Sequence, residues 1–187
     1  NSGLYCVDNK LLFEALKQVT PNNSKGEYYF TDIISILANK EKIGSFTIKD
    51  VYKLNGINDL YTLSLVEELL VKDINKNHMI NGVNIINPSS VVIAPSVVIE
   101  ESVTIYPGCF LTGDTILKKG SVIWPNTEIH NGIIEEQAVV RQSVVYDSKV
   151  SSGASVGPFA HLRMNSTVGI NDRIGNFVEL KNSTLGE

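Results

Sequence analysis

Cysteine, histidine and tryptophan are scarce in this chain of 187 residues, which has two cysteines, three histidines and one tryptophan. Because Cys6 and Cys109 lie far apart, they provide no disulfide framework, and we expect a reducing compartment, the cytoplasm. The histidines, at positions 78, 130 and 161, are not spaced like three ligands converging on one zinc ion. This composition therefore excludes a disulfide-rich secreted module and disfavours a zinc enzyme.

An excess of positive charge and long apolar runs are also lacking. Sixteen Lys and Arg residues against twenty Asp and Glu residues give a net charge of -4, without a basic cluster that could follow a nucleic-acid backbone. Gly, Pro or charged residues interrupt every apolar run well before the ~20 residues needed to cross a bilayer. We therefore expect a soluble globular protein with neither nucleic acid nor membrane as partner. Since the chain starts with Asn-Ser-Gly and has no secretion signal, we expect it to be an excised piece of a longer protein.

The second half of the sequence has an aliphatic residue at every sixth position. The repeat forms two runs whose phases differ by three, because fifteen residues separate Ile129 from Val144, and we expect a loop or bulge there. The predicted inward aliphatic residues are Ile93, Ile99, Ile105, Leu111, Leu117, Ile123, Ile129, Val144, Val150, Val156, Leu162, Val168, Ile174 and Leu180. A second inward set of small or β-branched residues follows four positions later, at Val97, Val103, Cys109, Thr115, Ser121, Thr127, Ala154, Ala160, Ser166, Val178 and Thr184.

A period of six fits neither the alternation of an ordinary strand nor the 3.6-residue turn of an α-helix. It predicts triangular coils of three hexads, which stack at a strand spacing of ~4.8 Å and bury the aliphatic column. A β-sandwich would require an alternation of period two, which is absent. The predicted fold is therefore a parallel β-helix. Its predicted corners, where unusual backbone angles are needed, are Gly108, Gly120, Asn126, Gly153 and Asn165.

The first eighty residues have a different pattern. A helix is predicted from about residue 9 to 19, following the capping residues Asp8 and Asn9 and ending before Pro21. A second short helix is expected to begin at Thr31 and Asp32. The β-branched and aromatic residues at 45–48 are typical of a strand.

A longer helix is predicted to connect this part to the β-helix. It should begin at Asn58, extend to about Lys76 and be followed by the repeat soon after Gly82. We therefore divide the chain into an α/β remnant at 1–57, a connecting helix and linker at 58–80, and β-helix coils at 81–187.

Two cations in the repeat, Arg163 and Lys181, lie eighteen residues apart and each follows an inward aliphatic residue. One coil separates them, so we predict that they stack at one corner, where they repel each other unless an anion lies between them. The pair is a candidate phosphate site, and a solvated surface pair is the alternative. The same spacing places His161 beside Glu179, which we interpret as a structural or solvated pair.

Other common catalytic patterns are missing. Neither cysteine has an adjacent His or Asp, and Cys109 occupies an inward position, so thiolate catalysis is not expected. The motifs G-x-x-x-x-G-K-[ST] and G-x-G-x-x-G do not occur, so a nucleotide would have to bind elsewhere.

Several strings of residues resemble one enzyme family. They are the opening Asn-Ser-Gly, NNSKGEYYFTDI at 22–33, LNGIND at 54–59, VGPFAHLR at 156–163 and IGNFVELKN at 174–182. Together they resemble the bacterial bifunctional N-acetylglucosamine-1-phosphate uridyltransferase / glucosamine-1-phosphate acetyltransferase, over essentially the whole chain. The resemblance implies a homotrimer with a Rossmann-like nucleotidyltransferase domain, a helical arm and a left-handed β-helix acetyltransferase domain. The handedness of the β-helix follows from the resemblance alone.

The resemblance also implies roles for four residues. Asn1 matches the family asparagine that contacts the sugar nucleotide, and Asn58 matches the one that binds Mg²⁺ and the phosphates of the nucleotide sugar. A helix N-cap is the alternative role for Asn58. Arg163 and Lys181 match the basic pair that holds the sugar phosphate in the acetyltransferase site. Met164 stands where the family has proline, which leaves the charge of this site unchanged.

The family's catalytic groups have no match in this chain. Its glycine-rich nucleotide-binding segment is expected before Asn1, and its catalytic histidine and acetyl-CoA contacts after Glu187. The resemblance implies acetyl-CoA-dependent acetylation of glucosamine-1-phosphate, then Mg²⁺-dependent uridylyl transfer from UTP to N-acetylglucosamine-1-phosphate, for UDP-N-acetylglucosamine and cell-wall precursors. We expect the isolated fragment to be inactive. The alternatives are a related sugar-phosphate nucleotidyltransferase, a single-function hexapeptide acyltransferase and a non-catalytic trimeric scaffold.

Overall fold

A computed structural model describes residues 2–47, 54 and 56–186 of the chain. The chain divides into two compact units, Asn1–Asp59 and Leu60–Glu187. Within the described ranges, no helix is both long enough and apolar enough to span a membrane.

The first unit contains helix α1 (Asn9–Leu16) and helix α2 (Asp32–Ala38). The carboxylate of Asp8 accepts hydrogen bonds from the amides of Lys10 and Leu11, at 2.9 and 3.2 Å, and so caps the start of α1. The two helices share a small apolar core. Its buried members are Ala15, Ile33 and Leu37. Both predicted helices are confirmed, although α1 ends three residues before the predicted residue 19.

The strand predicted at 45–48 is wrong over residues 45–47, which have no regular secondary structure; residue 48 lies outside the described residues. Phe46 is 89% exposed, so its side chain packs on no neighbouring strand. A strand needs a hydrogen-bonding partner, and residues 2–47 contain no strand that could serve as one. Within residues 2–47, the part of the chain predicted as an α/β remnant therefore contains helices and no strand.

Helix α3 (Leu60–Ile80) belongs to the same unit as the β-helix. It starts two residues after the predicted Asn58 and ends four residues after the predicted Lys76. Asp59 directly precedes the helix, and the N-cap alternative for Asn58 stays a prediction. The buried side chain of Asn75 anchors α3, since its Nδ2 donates to the carbonyl oxygens of Pro88 and Val91, both at 2.8 Å.

The rest of this unit is a parallel β-helix of hexapeptide repeats, as predicted. A short 3₁₀ helix (Pro88–Ser90) lies in the first coil. The described strands are β1 Asn84–Ile85, β2 Val92–Ile93, β3 Val98–Ile99, β4 Thr104–Ile105, β5 Phe110–Thr112, β6 Ile116–Leu117, β7 Val122–Ile123, β8 Glu128–His130, β9 Ile133–Ile134, β10 Val139–Val140, β11 Val144–Tyr146, β12 Lys149–Val150, β13 Ser155–Val156, β14 His161–Arg163, β15 Thr167–Val168, β16 Arg173–Ile174, β17 Glu179–Lys181 and β18 Thr184–Leu185.

Every third strand pairs in parallel, so the described strands form three flat sheets of six strands each. The first sheet contains β1, β4, β7, β10, β13 and β16; the second contains β2, β5, β8, β11, β14 and β17; the third contains β3, β6, β9, β12, β15 and β18. One strand from each sheet makes a coil. This arrangement stacks equivalent residues of successive coils directly above one another.

The inward aliphatic column is confirmed for most of the predicted positions. Thirteen of the fourteen are buried or packed against the core, the exception being Val144. In place of Val144, the fully buried residue is its neighbour Val145, which pairs with Ile129 below and Leu162 above.

Across residues 129–150, all of which the structure describes, no loop or bulge separates the two runs of the repeat. After Ile129, the fully buried residues Ile134, Val140, Val145 and Val150 follow at intervals of five, six, five and five. Three of these four intervals are thus one residue shorter than six. Together they produce the phase shift of three. The predicted inward position of Val144 is wrong because the shift is spread over several corners.

The inward position predicted for Thr184 is also wrong, because this residue is exposed. Its register partner is Thr167, which precedes the buried Val168 and points outward. The interval from Leu180 to Leu185 is five, so Thr184 falls on the outer side of β18. The other predicted small residues are buried or, for Val178, partly buried against the core.

The five predicted corner residues all have positive φ angles. The values are 76° for Gly108, 72° for Gly120, 57° for Asn126, 70° for Gly153 and 61° for Asn165. At Gly108 the corner also needs the space of a missing side chain, since a Cβ atom would lie 2.2 Å from Oδ1 of Asn126 in the next coil.

We expect the two cysteines to react very differently with a thiol reagent. Cys109 is 1% exposed, its Sγ lies 3.2 Å from the carbonyl oxygen of Trp124, and burial raises the pKa of its thiol. Cys6 is exposed. Titration with a chromogenic disulfide should therefore modify one thiol per native chain and two in denaturant. In the Cys6→Ser variant the fast reaction should disappear, and a rapidly reacting Cys109 would contradict the inward placement.

Candidate functional site

The outer surface of the second sheet carries a cluster of polar and aromatic side chains, which we call the polar face. Strands β8, β11, β14 and β17 supply them, and their in-register pairing places them in two adjacent columns. The polar face consists of Glu128, His130, Tyr146, His161, Arg163, Glu179 and Lys181.

Arg163 and Lys181 are register partners in β14 and β17, as the eighteen-residue spacing predicts. Arg163 Nε donates a hydrogen bond of 2.6 Å to Oε1 of Glu179, and Nη2 of Arg163 pairs with the same oxygen. Within the described residues Lys181 is exposed and forms no ion pair. The anion beside the arginine is thus a carboxylate of the chain itself, which the sequence pattern did not indicate.

His161 and Glu179 are also register partners, which confirms their predicted adjacency. Glu179 nevertheless binds Arg163 and not the imidazole. Nε2 of His161 is shielded from solvent and has no hydrogen-bond partner among the described residues. The imidazole instead contacts the Tyr146 ring in an edge-on arrangement, with 6.0 Å between the ring centroids.

Tyr146 and Glu128 form a further pair that the sequence reasoning missed. The Tyr146 hydroxyl donates a hydrogen bond to Oε1 of Glu128. This bond is the main cause that raises the pKa of the phenol, and burial is the second. Tyr146 therefore stays protonated and acts as a donor near neutral pH. Glu128 and Tyr146 are eighteen residues apart, but the coil between them is shorter, and the register partner of Tyr146 is His130; the bond to Glu128 therefore runs diagonally between the strands.

His130 extends the polar face toward the earlier coils. Its Nδ1 lies 2.9 Å from Oγ1 of Thr112, and its ring meets the Tyr146 ring edge-on at 5.9 Å. Tyr146 therefore separates His130 from His161. In the part of the chain that the structure describes, no group of three or more His, Cys, Asp or Glu residues could hold a metal ion.

The two asparagines implied in the nucleotide site belong to the first unit. Asn1 lies outside the described residues, and Asn58 is exposed. An amide oxygen is a suitable but single ligand for Mg²⁺, which prefers six oxygen ligands and usually at least one carboxylate. Asn58 by itself does not form a magnesium site, and we assign no catalytic step to the ion.

Comparison with known proteins shows similarity along the whole chain to proteins named bifunctional protein GlmU. The one from Acholeplasma laidlawii is 50% identical over 186 residues, and those from Exiguobacterium strain AT1b and Streptococcus thermophilus are 47% and 45% identical over 188 residues. The chain is homologous to part of the bifunctional GlmU proteins. The similarity extends over the whole of this chain, but the chain spans only 40 to 42% of the length of these GlmU relatives. No protein-family model matches the chain.

Similarity to GlmU proteins covers both units, so it includes the polar face. Met164, which stands where the resemblance implies a proline, has a φ of 55° and lies directly after Arg163. Arg163 still points outward from β14 and is paired in register with Lys181. The departure from the family pattern therefore does not remove the basic pair.

Proposed function

We propose that this chain is part of a bifunctional transferase of UDP-N-acetylglucosamine biosynthesis. The whole enzyme would acetylate glucosamine-1-phosphate with acetyl-CoA, and would then transfer a uridylyl group from UTP to N-acetylglucosamine-1-phosphate. The family strings in both units and the whole-length similarity to GlmU proteins support this proposal.

The observation that carries the proposal for the β-helix is the stacking of Arg163 and Lys181 on the polar face. Arginine offers five N–H donors in a planar fork, and lysine adds a flexible point charge. The Glu179 carboxylate binds Nε and Nη2 of Arg163, so the other N–H groups of the guanidinium remain for a phosphate group. The two cations together suit a phosphate monoester such as the one on glucosamine-1-phosphate.

In this proposal the chain binds and orients substrates, while the reacting groups come from elsewhere in the full enzyme. During acetyl transfer the glucosamine nitrogen attacks the thioester carbonyl of acetyl-CoA, a general base takes the amine proton, and the C–S bond breaks to release coenzyme A, whose thiolate is then protonated. We assign that base to none of His78, His130 and His161. Holding the phosphate fixes the sugar for this attack, which contributes by orientation.

The first unit would contribute to the uridyltransferase site. We propose that Asn1 contacts the sugar nucleotide and that Asn58 gives one oxygen ligand to Mg²⁺ beside the phosphates. The proposed division is a nucleotidyltransferase part at 1–57, a connecting helix at 58–80 and acetyltransferase coils at 81–187. A cytoplasmic homotrimer supplying cell-wall precursors completes the proposal.

Replacing either cation with glutamine should weaken the binding of glucosamine-1-phosphate to this chain about 10- to 100-fold, because each change removes a charge-assisted contact. Isothermal titration calorimetry of wild type, Arg163→Gln and Lys181→Gln would measure the affinities. Arg173→Gln is the matched control, since Arg173 is exposed on β16 of the first sheet. Equal affinities in all four proteins would contradict the site, and undetectable binding to wild type would favour the trimeric scaffold.

A further inference from the structure

We propose that Glu179 is a built-in counter-ion of the phosphate site: its carboxylate holds the Arg163 guanidinium in the unliganded chain and lowers the preference of the site for doubly charged over singly charged anions. The inference rests on the function proposed above and adds a positioning residue that also selects ligand charge.

The geometry places Glu179 beside the basic pair, in the column of the polar face next to that of Arg163 and Lys181. It lies two residues before Lys181 in β17, and it reaches back one coil to Arg163, with Nε and Oε1 separated by 2.6 Å. Nη2 of the guanidinium pairs with the same oxygen. A carboxylate held in this way fixes the plane of the guanidinium, so less side-chain freedom is lost when a phosphate arrives.

The negative charge of Glu179 reduces the electrostatic attraction between the site and an anionic ligand. Arg163 and Lys181 together carry two positive charges, and Glu179 reduces their sum to one. A phosphate monoester has a second pKa near 6, so it carries between one and two negative charges near neutral pH. Its second charge therefore meets a site that Glu179 has already partly neutralised.

Solvent exposure limits the size of this effect. The side chain of Arg163 is 35% exposed and that of Glu179 is 54% exposed, so water and salt screen their interactions. Removing the negative charge is therefore expected to strengthen binding of a doubly charged anion by roughly threefold to tenfold.

Two substitutions separate the charge of Glu179 from its positioning role. Glu179→Gln removes the charge but keeps an amide oxygen that can accept from Nε of Arg163. Glu179→Ala removes both the charge and the acceptor, leaving the guanidinium unrestrained. We expect tighter binding of phosphate in Glu179→Gln than in wild type, and weaker binding in Glu179→Ala than in Glu179→Gln.

Anions of fixed charge provide a readout that a merely structural role of Glu179 would not change. Sulfate and methanesulfonate have similar tetrahedral groups but carry two charges and one charge, respectively, across the neutral range. Calorimetric titrations at constant ionic strength should show that Glu179→Gln increases the affinity for sulfate more than for methanesulfonate. Glu136→Gln is the matched control, because Glu136 has a similarly exposed side chain (48%) but lies outside the polar face.

Two different results would overturn two different statements. If Arg163→Gln abolishes phosphate binding while Glu179→Gln leaves the sulfate-to-methanesulfonate ratio unchanged, the role of Glu179 is wrong and the phosphate site stands. If neither Arg163→Gln nor Lys181→Gln weakens phosphate binding, the proposed site itself is wrong. Thermal unfolding without ligand, recorded for every variant, identifies any change caused by loss of folding.

Discussion

Replacing Ile134 by alanine is expected to lower the free energy of unfolding by about 2–5 kcal/mol, the range for a large buried side chain that leaves a cavity. Ile134 is 0% exposed and pairs with Leu117 below and Val150 above, both of which are also fully buried. Neighbouring coils cannot close the gap without disturbing their own hydrogen bonds. Urea unfolding followed by circular dichroism would measure the change.

The adjacent residue Ile133 is an internal control of the same chemistry. It is 37% exposed on the outer side of β9, so Ile133→Ala should cost less than about 1 kcal/mol. The comparison also tests the shortened sides of the β-helix, because Ile134 follows Ile129 after five residues and not six. Equal losses for the two variants would contradict the inward placement of Ile134.

Alanine at Gly157 is expected to destabilise the β-helix by roughly 2–4 kcal/mol, from overpacking together with an unfavourable backbone angle. A Cβ atom there would lie 2.2 Å from the carbonyl oxygen of Arg141 and 2.3 Å from Oγ of Ser143, and the φ angle is +93°. Ser143 cannot simply move aside. Its hydroxyl donates to Arg141 O at 2.6 Å and accepts from the amide of Ala160 at 3.1 Å.

Gly175 occupies the equivalent place one coil later, after the paired residues Val156 and Ile174. A Cβ atom at Gly175 would meet nothing within 4 Å. We therefore expect Gly175→Ala to be neutral or to stabilise by up to about 1 kcal/mol, since alanine reduces the freedom of the unfolded chain. Thermal unfolding of both variants checks the prediction, which fails if Gly157→Ala unfolds at the wild-type temperature.

Much of the candidate site was predictable where the coils keep their full length. Arg163 and Lys181 lie eighteen residues apart in a region where each side contributes six residues, so their stacking followed from counting. A count of eighteen does not find Tyr146 and His130, which are register partners only sixteen residues apart. A constant period cannot locate the corners at which single residues are lost.

Side-chain partners were less predictable than strand register. Glu179 is directly opposite His161, yet it binds Arg163 on the diagonal. A long, flexible arginine can reach a carboxylate two residues away in the next strand, and its guanidinium offers several donors at once. Register alone places the residues of the polar face but does not decide which of them form bonds.

The sequence by itself determined the type of fold, because an aliphatic residue at every sixth position can be buried continuously only by stacking three-sided coils. It also determined the corners that need positive φ angles, since glycine and asparagine tolerate them best. Only the tertiary structure decided which of two adjacent valines, Val144 and Val145, points inward. Both are equally apolar, and the choice is made by parallel pairing with Ile129 and Leu162, which lie in other coils.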